Sequence, residues 1–234
     1  LIQIGGVFNS SAAVAVYIIM GALIGDATKA HIADATPALM IALAIFVIGF
    51  VTLLFTKIEE PEQAPVDISL VKGAMKYRHF VLGVIAIFLY MGVEVGTPTY
   101  ILQYLTSPEM GMDASIVGLI VAVYWLMMLV GRFVGGAIGS KVSSRTMITT
   151  VSAATLVLVA FGMFAPTSIT VNVPGIDWAN LNLIWAEVPV GIFAFLLVGL
   201  CTSVMWGGIF NMAVEGLGKY TAIASGIFMT MVFG

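Results

Sequence analysis

The chain has 234 residues, 61% of them hydrophobic and 9% charged, with a net charge of −3 and a mean hydropathy of +1.12. A water-soluble domain carries about a quarter charged residues, so a soluble globular fold is excluded and the surplus apolar surface must face lipid. No basic tract is present, which argues against a nucleic-acid partner, and the lone Cys201 excludes an internal disulfide.

The sequence opens on "LIQIGGVFNSS", hydrophobic and without an initiator Met, and stops inside the apolar run "SGIFMTMVFG". It reads as a piece of a longer membrane protein. Runs of about 17–25 apolar residues cross a bilayer as helices. Such runs are predicted at 1–24, 37–55, 80–105, 115–139, 147–164 and 188–214, with a seventh starting near Thr221 and cut at Gly234. They are apolar on all faces, whereas barrel strands alternate. The fold class is therefore all-α, a polytopic transmembrane helix bundle.

The first run carries Asn9 with Ser10 and Ser11. A buried Asn there serves either as interhelical glue or as a reader of ligand hydroxyls. The "NSS" sequon lies inside the span and is not a glycosylation acceptor. The second run ends at the loop 56–79, "TKIEEPEQAPVDISLVKGAMKYRH", the most charged connection. It has room for a short amphipathic helix and is placed as the boundary between two helix groups. The divisions are then 1–55, the linker 56–79, and 80–234.

The third run holds "YMGVEVGTPTYILQY", with Glu94 alone among apolar residues. Glu94 lies 14 residues from Phe80, about 21 Å along a helix, past the midplane. An acid at that depth costs about 2.5–3.5 kcal/mol on insertion scales and turns toward a cavity or a partner. Such an acid can bind a solute or exchange a proton; the alternative is a neutral structural acid bonded to a neighbouring helix. Pro98 lacks the N–H that would bond the Glu94 carbonyl, which predicts a broken helix with a free backbone oxygen. Tyr90, Thr97 and Ile101 share the Glu94 face.

The fourth run, "YWLMMLVGRFVGGAIGSKVSSR", contains two overlapping GxxxG steps, Gly131 to Gly135 and Gly135 to Gly139. These allow close helix approach. Arg132 is expected to snorkel or to cap a neighbouring helix. Trp125 is either packing or a stacking surface for a sugar ring. After the fifth run, the loop "APTSITVNVPGIDWANLNLIWAE" has no bases and is read as an interfacial cap. The sixth run contains "SVMWGGIFNMAVEGLGKYT". Trp206 is a second stacking candidate, and Asn211, sharing a face with Val204, Gly207 and Gly208, a second hydroxyl reader.

Basic residues orient the bundle. Lys57, Lys72, Lys76, Arg78, Lys141, Arg145 and Lys219 lie on one set of loops and Lys29 alone on the other, seven against one. Loops 56–79, 140–146 and 215–220 are therefore expected in the cytoplasm. His31 and His79 sit in loops, and no metal-ligand spacing, nucleophile elbow or phosphate-binding glycine loop appears. An enzyme and a metal site are not expected.

"FN" at Phe8–Asn9, "YMGVEVG" at 90–96, "YW" with "GRFVGG" at 124–136 and "IFNMAVEGLGKYT" at 209–221 together resemble the major facilitator superfamily, specifically its fucose and glucose/galactose proton-symporter branch. The resemblance implies twelve helices in two six-helix halves, of which this chain holds the fifth to tenth and part of the eleventh. Residues 1–55 would be the last two helices of the first half, and 80–234 the second half, truncated in its fifth helix. "GAIGSKVSSR" (136–145) resembles the superfamily's cytoplasmic loop motif, with Ser140 in place of its acid and Ser143 in place of its glycine. Relatives often carry Phe-Pro-Thr where Trp206, Gly207 and Gly208 stand here, and their proton-carrying acids lie in the first and fourth helices. The implied function is import of a neutral monosaccharide (glucose, galactose or fucose type) with a proton, by alternating access, in a bacterial inner membrane. Its partners would be the sugar, the proton and the bilayer, with no cofactor and no nucleic acid, and the protein would be a monomer. The substrate-binding candidates are Asn9, Glu94, Trp125, Trp206 and Asn211, with Glu94 also the candidate for proton coupling. Rival readings are a carrier of nucleosides, peptides or drugs, an intramembrane enzyme, and a non-transporting sensor.

Overall fold

The computed structural model describes residues 2–24, 31–57, 69–139, 141–177 and 182–233. Lys29, Ser140, residues 58–68 of the linker and the tip of the loop after the fifth run (178–181) lie outside the described residues, and so do the expectations placed on them.

The apolar runs become helices close to their expected bounds: α1 (Ile2–Ile24), α2 (Thr36–Phe55), α3 (Ser69–Ala74), α4 (Arg78–Leu105), α5 (Ala114–Ile138), α6 (Ser144–Phe164), α7 (Val190–Thr202), α8 (Met205–Val214) and α9 (Thr221–Val232). Local chemistry sets their ends. Pro37 occupies the first turn of α2, where its missing N–H has no partner to lose. Asp113 caps α5 by accepting from the Ser115 N–H at 2.8 Å. Ser143, which replaces the motif glycine, caps α6 by accepting from the Thr146 N–H at 3.1 Å. Inside the helices, threonine hydroxyls donate back to carbonyls four residues earlier, as Thr97 does to Val93 at 2.7 Å, which satisfies them without water. The short α3 lies in the linker where a helix is expected.

Two expectations need correction. Pro98 does not break α4, which runs through it from Arg78 to Leu105. The sixth crossing is instead divided by a turn at Ser203–Val204 between α7 and α8. This turn nests on the α5 glycines: a Cβ on Gly131 would meet the Leu200 carbonyl at 2.6 Å and the Ser203 side chain, and one on Gly135 would meet Val204. The glycine steps thus do the packing expected of them.

The loop after the fifth run also differs from expectation. It folds into an antiparallel hairpin of β1 (Thr170–Asp177) and β2 (Asn182–Pro189), with Val173 opposite Ala186 and Gly175 opposite Ile184. Val173, Ile184, Ala186 and the buried Val188 pack on the adjoining core; Leu183 and Trp185 are exposed.

No described residue of α2 or α6 is buried, while α5 and α7 carry many buried positions. Apolar helices exposed all round, such as α2 with Phe46 and Leu54, need hydrocarbon or further protein as their solvent. Two apolar cores fill the bundle. One is built on Ile101, Leu105, Val117, Val121 and Val198. The other, toward the Arg78 end, is built on Phe80, Val84, Ile87, Ala213 and Phe228. The buried stripe of α4 runs Phe80, Val84, Ile87, Tyr90, Glu94, Pro98, Ile101, Leu105 at helical spacing. It passes from one core to the other, and Glu94 falls at the polar layer between them.

Candidate functional site

Pro98 determines the first feature of this layer. Because it cannot donate to the Glu94 carbonyl, that oxygen needs another donor in an apolar interior. The Tyr124 hydroxyl supplies it at 3.0 Å from α5. The oxygen expected to be free is therefore bonded, and α4 continues through Pro98.

The Glu94 side chain faces Arg132, with Nη2 3.4 Å from Oε1 and both side chains almost wholly buried. Removing two charges from water is costly, and the mutual attraction offsets that cost only in part. Arg132 was expected to snorkel or cap a helix end; instead it is buried and turns inward. Helical Cβ bonds tilt toward the helix N-terminus, which for α5 is the Ala114 end, so Arg132 leans toward the layer of Glu94 and away from Lys141. The other guanidinium nitrogen, Nη1, donates to the Gly6 carbonyl of α1. The buried Tyr90 hydroxyl lies beside the Glu94 carboxylate without a well-formed hydrogen bond.

Around this pair opens a cavity of about 390 Å³, within the usual range for small-molecule sites. Helix α1 contributes Gly5, Gly6 and Asn9; α4 contributes Met91 and Glu94; α5 contributes Arg132. The α7–α8 turn and α8 add Ser203, Trp206 and Gly207. The Trp206 indole is backed by Phe210, stacked with centroids 5.7 Å apart, and by Phe228 edge-on at 6.2 Å. The cavity thus offers an acid, a base, an amide, a hydroxyl and one aromatic wall.

Of the five candidates, the structure brings Asn9, Glu94 and Trp206 together. Trp125 packs into the core beyond the cavity, edge-on to Tyr124 at 5.5 Å, with its Nε1 buried and unpartnered. Asn211 lies more than a helical turn past Trp206. It is exposed and lines a separate opening with His79, Arg145 and Glu215. Sequence reasoning did not place Arg132, Gly6 and Ser203 in the site. The tilt of α5 side chains was the available signal for Arg132.

Residues 4–234 match the Major Facilitator Superfamily model. The chain belongs to the major facilitator superfamily. Among its relatives, the glucose/galactose transporter of Brucella abortus biovar 1 (strain 9-941) is 30% identical over 213 residues. That match covers 89% of this chain and 47% of the relative, so the chain spans about half the length of the curated relatives it matches. In fold it is similar to the major facilitator transporter FucP in its outward conformation, with a TM-score of 0.62 at 19% identity over 86% of this chain and 45% of FucP. A second structure, of the E. coli fucose:proton symporter FucP, gives 0.61 at the same identity and coverage. The helices are thus those of a multi-pass membrane protein, and the cavity lies within a major facilitator bundle.

Proposed function

We propose that this chain is part of a carrier importing a neutral hexose or deoxyhexose, such as glucose, galactose or fucose, with a proton, by alternating access. The observation that carries the reading is the convergence of Asn9, Trp206 and the Glu94–Arg132 pair on one interhelical cavity. The amide and the ion pair can exchange hydrogen bonds with hydroxyls, and the indole suits the apolar face of a sugar ring. Because Glu94 and Arg132 neutralise each other, the cavity offers no net charge to a charged solute. The relatives named as sugar transporters support the same class. Glu94 is the proposed proton-exchanging group, since its carboxylate can release Arg132 when it takes a proton. On this reading 1–55 and 80–234 belong to opposite halves that rock about the site. The basic loops face the cytoplasm of a bacterial inner membrane, and the carrier works as a monomer.

The test is uptake by the complete transporter in proteoliposomes. One of the three labelled sugars should accumulate saturably and lose accumulation when the proton gradient is dissipated. Uptake of a nucleoside or an organic cation, with no sugar competing, would overturn the proposal.

A further inference from the structure

The Arg132 side chain, rooted on α5, touches two other helices at once: Glu94 on α4 and the backbone of α1 at Gly6. Its contact with Glu94 is a single bond of 3.4 Å, longer than the roughly 2.7–2.9 Å of a firm charge-assisted bond and not bidentate. The carboxylate is therefore loosely held, and it faces the cavity. The contact with α1 depends on glycine, because a Cβ at Gly6 would stand 3.0 Å from Cδ, Nε and Nη1 of Arg132. Other titratable groups facing Glu94 are Tyr90 from α4 and Tyr124 from α5; α1, α8 and α9 bring Asn9, Trp206 and Val232, none of them ionisable. Among the described residues Arg132 is thus the counter-charge of Glu94.

We infer that Arg132 is a positioning residue that ties the state of Glu94 to the contact between α1 and α5. This rests on reading the cavity as the sugar site. When Glu94 takes a proton or a sugar hydroxyl, the guanidinium loses its partner in a low-dielectric interior, an arrangement that is strongly unfavourable. It turns into the open cavity and leaves the Gly6 carbonyl. Helix α1 is then free to part from α5, against which it runs antiparallel, with Gly6 beside Arg132 and Tyr17 beside Gly118.

The experiment uses the complete protein with Cys201→Ser, Tyr17→Cys and Gly118→Cys, and reads the yield of the disulfide between α1 and α5. The Tyr17 ring packs over position 118, its Cδ1 3.9 Å from where a Cβ there would stand, so the two positions face each other across α1 and α5. Without sugar, Glu94→Gln should lower the yield about threefold or more, the size of a coupling between residues in contact. In a Gly6→Ala background, or in Arg132→Lys if that variant does not fold, Glu94→Gln should have no further effect. An unchanged yield in Glu94→Gln, or an equal fall in both backgrounds, would overturn the inference. Adding glucose, galactose or fucose to the protein with native Glu94 should lower the yield as well. If Glu94→Gln lowers the yield and none of these sugars does, the tie stands and the sugar reading falls.

Discussion

The Tyr124 hydroxyl donates to the backbone carbonyl of Glu94 at 3.0 Å, filling the acceptor that Pro98, one turn further on, leaves without its usual N–H. One tyrosine on α5 thus fixes the α4 backbone where Glu94 projects.

Tyr124→Phe should strand that buried carbonyl and destabilise the protein by about 1–3 kcal/mol, read as a lower unfolding midpoint in detergent. Pro98→Ala restores an N–H at the right position. In that background Tyr124→Phe should cost much less, and equal losses in both backgrounds would show that the hydroxyl serves something else.

Breaking the ion pair from one side should be worse than removing it. Arg132→Met or Glu94→Leu alone should destabilise by about 3–5 kcal/mol, since each leaves a buried charge unpaired. The double variant should recover most of this stability while remaining inactive in transport. Thermal unfolding and uptake, measured on the same preparations, separate the two effects.

The site candidates should also divide. Asn9→Ala and Trp206→Ala should each weaken sugar binding by about tenfold, the worth of one hydrogen bond or stacking surface at the upper end of its range. Trp125→Phe and Asn211→Ala should leave the affinity within about twofold, because neither side chain reaches the cavity. Equilibrium binding of labelled sugar reads all four.

Gly131→Leu should disrupt the bundle at the Ser203–Val204 turn, where no room exists for a side chain beyond the Leu200 carbonyl. Loss of the monodisperse peak in size-exclusion chromatography would report it, whereas Gly92→Leu, whose added Cβ meets nothing within 4 Å, should be tolerated.

The helix bounds were legible in the sequence because a bilayer demands long apolar runs, and these set the ends of α1, α2, α4, α5 and α6 within a few residues. Glu94 was legible for the same reason: an acid in such a run needs a partner. The partner itself was harder to see. Arg132 lies nearer the basic end of its helix, and only the tilt of its side chain sends it inward. Helical periodicity puts Asn211 on the face of Gly207 but does not set its depth, and the structure places it at a separate opening. The hairpin was written as alternating Val171, Val173 and Ile184, Ala186, Val188, a period of two that a long loop without regular structure should have prompted. The turn between α7 and α8 had no such local mark; it exists because the glycines of α5 receive it.

The most direct test places a single cysteine at Met91, on the cavity wall beside Glu94, in the complete carrier with Cys201→Ser. A membrane-impermeant thiol reagent should modify it, and saturating sugar should slow that reaction, while a cysteine at the outward-facing Val95 should react only with lipid-soluble reagents. If position 91 is reached only through hydrocarbon, or if no sugar protects it, the chamber between the helices is not the transport site.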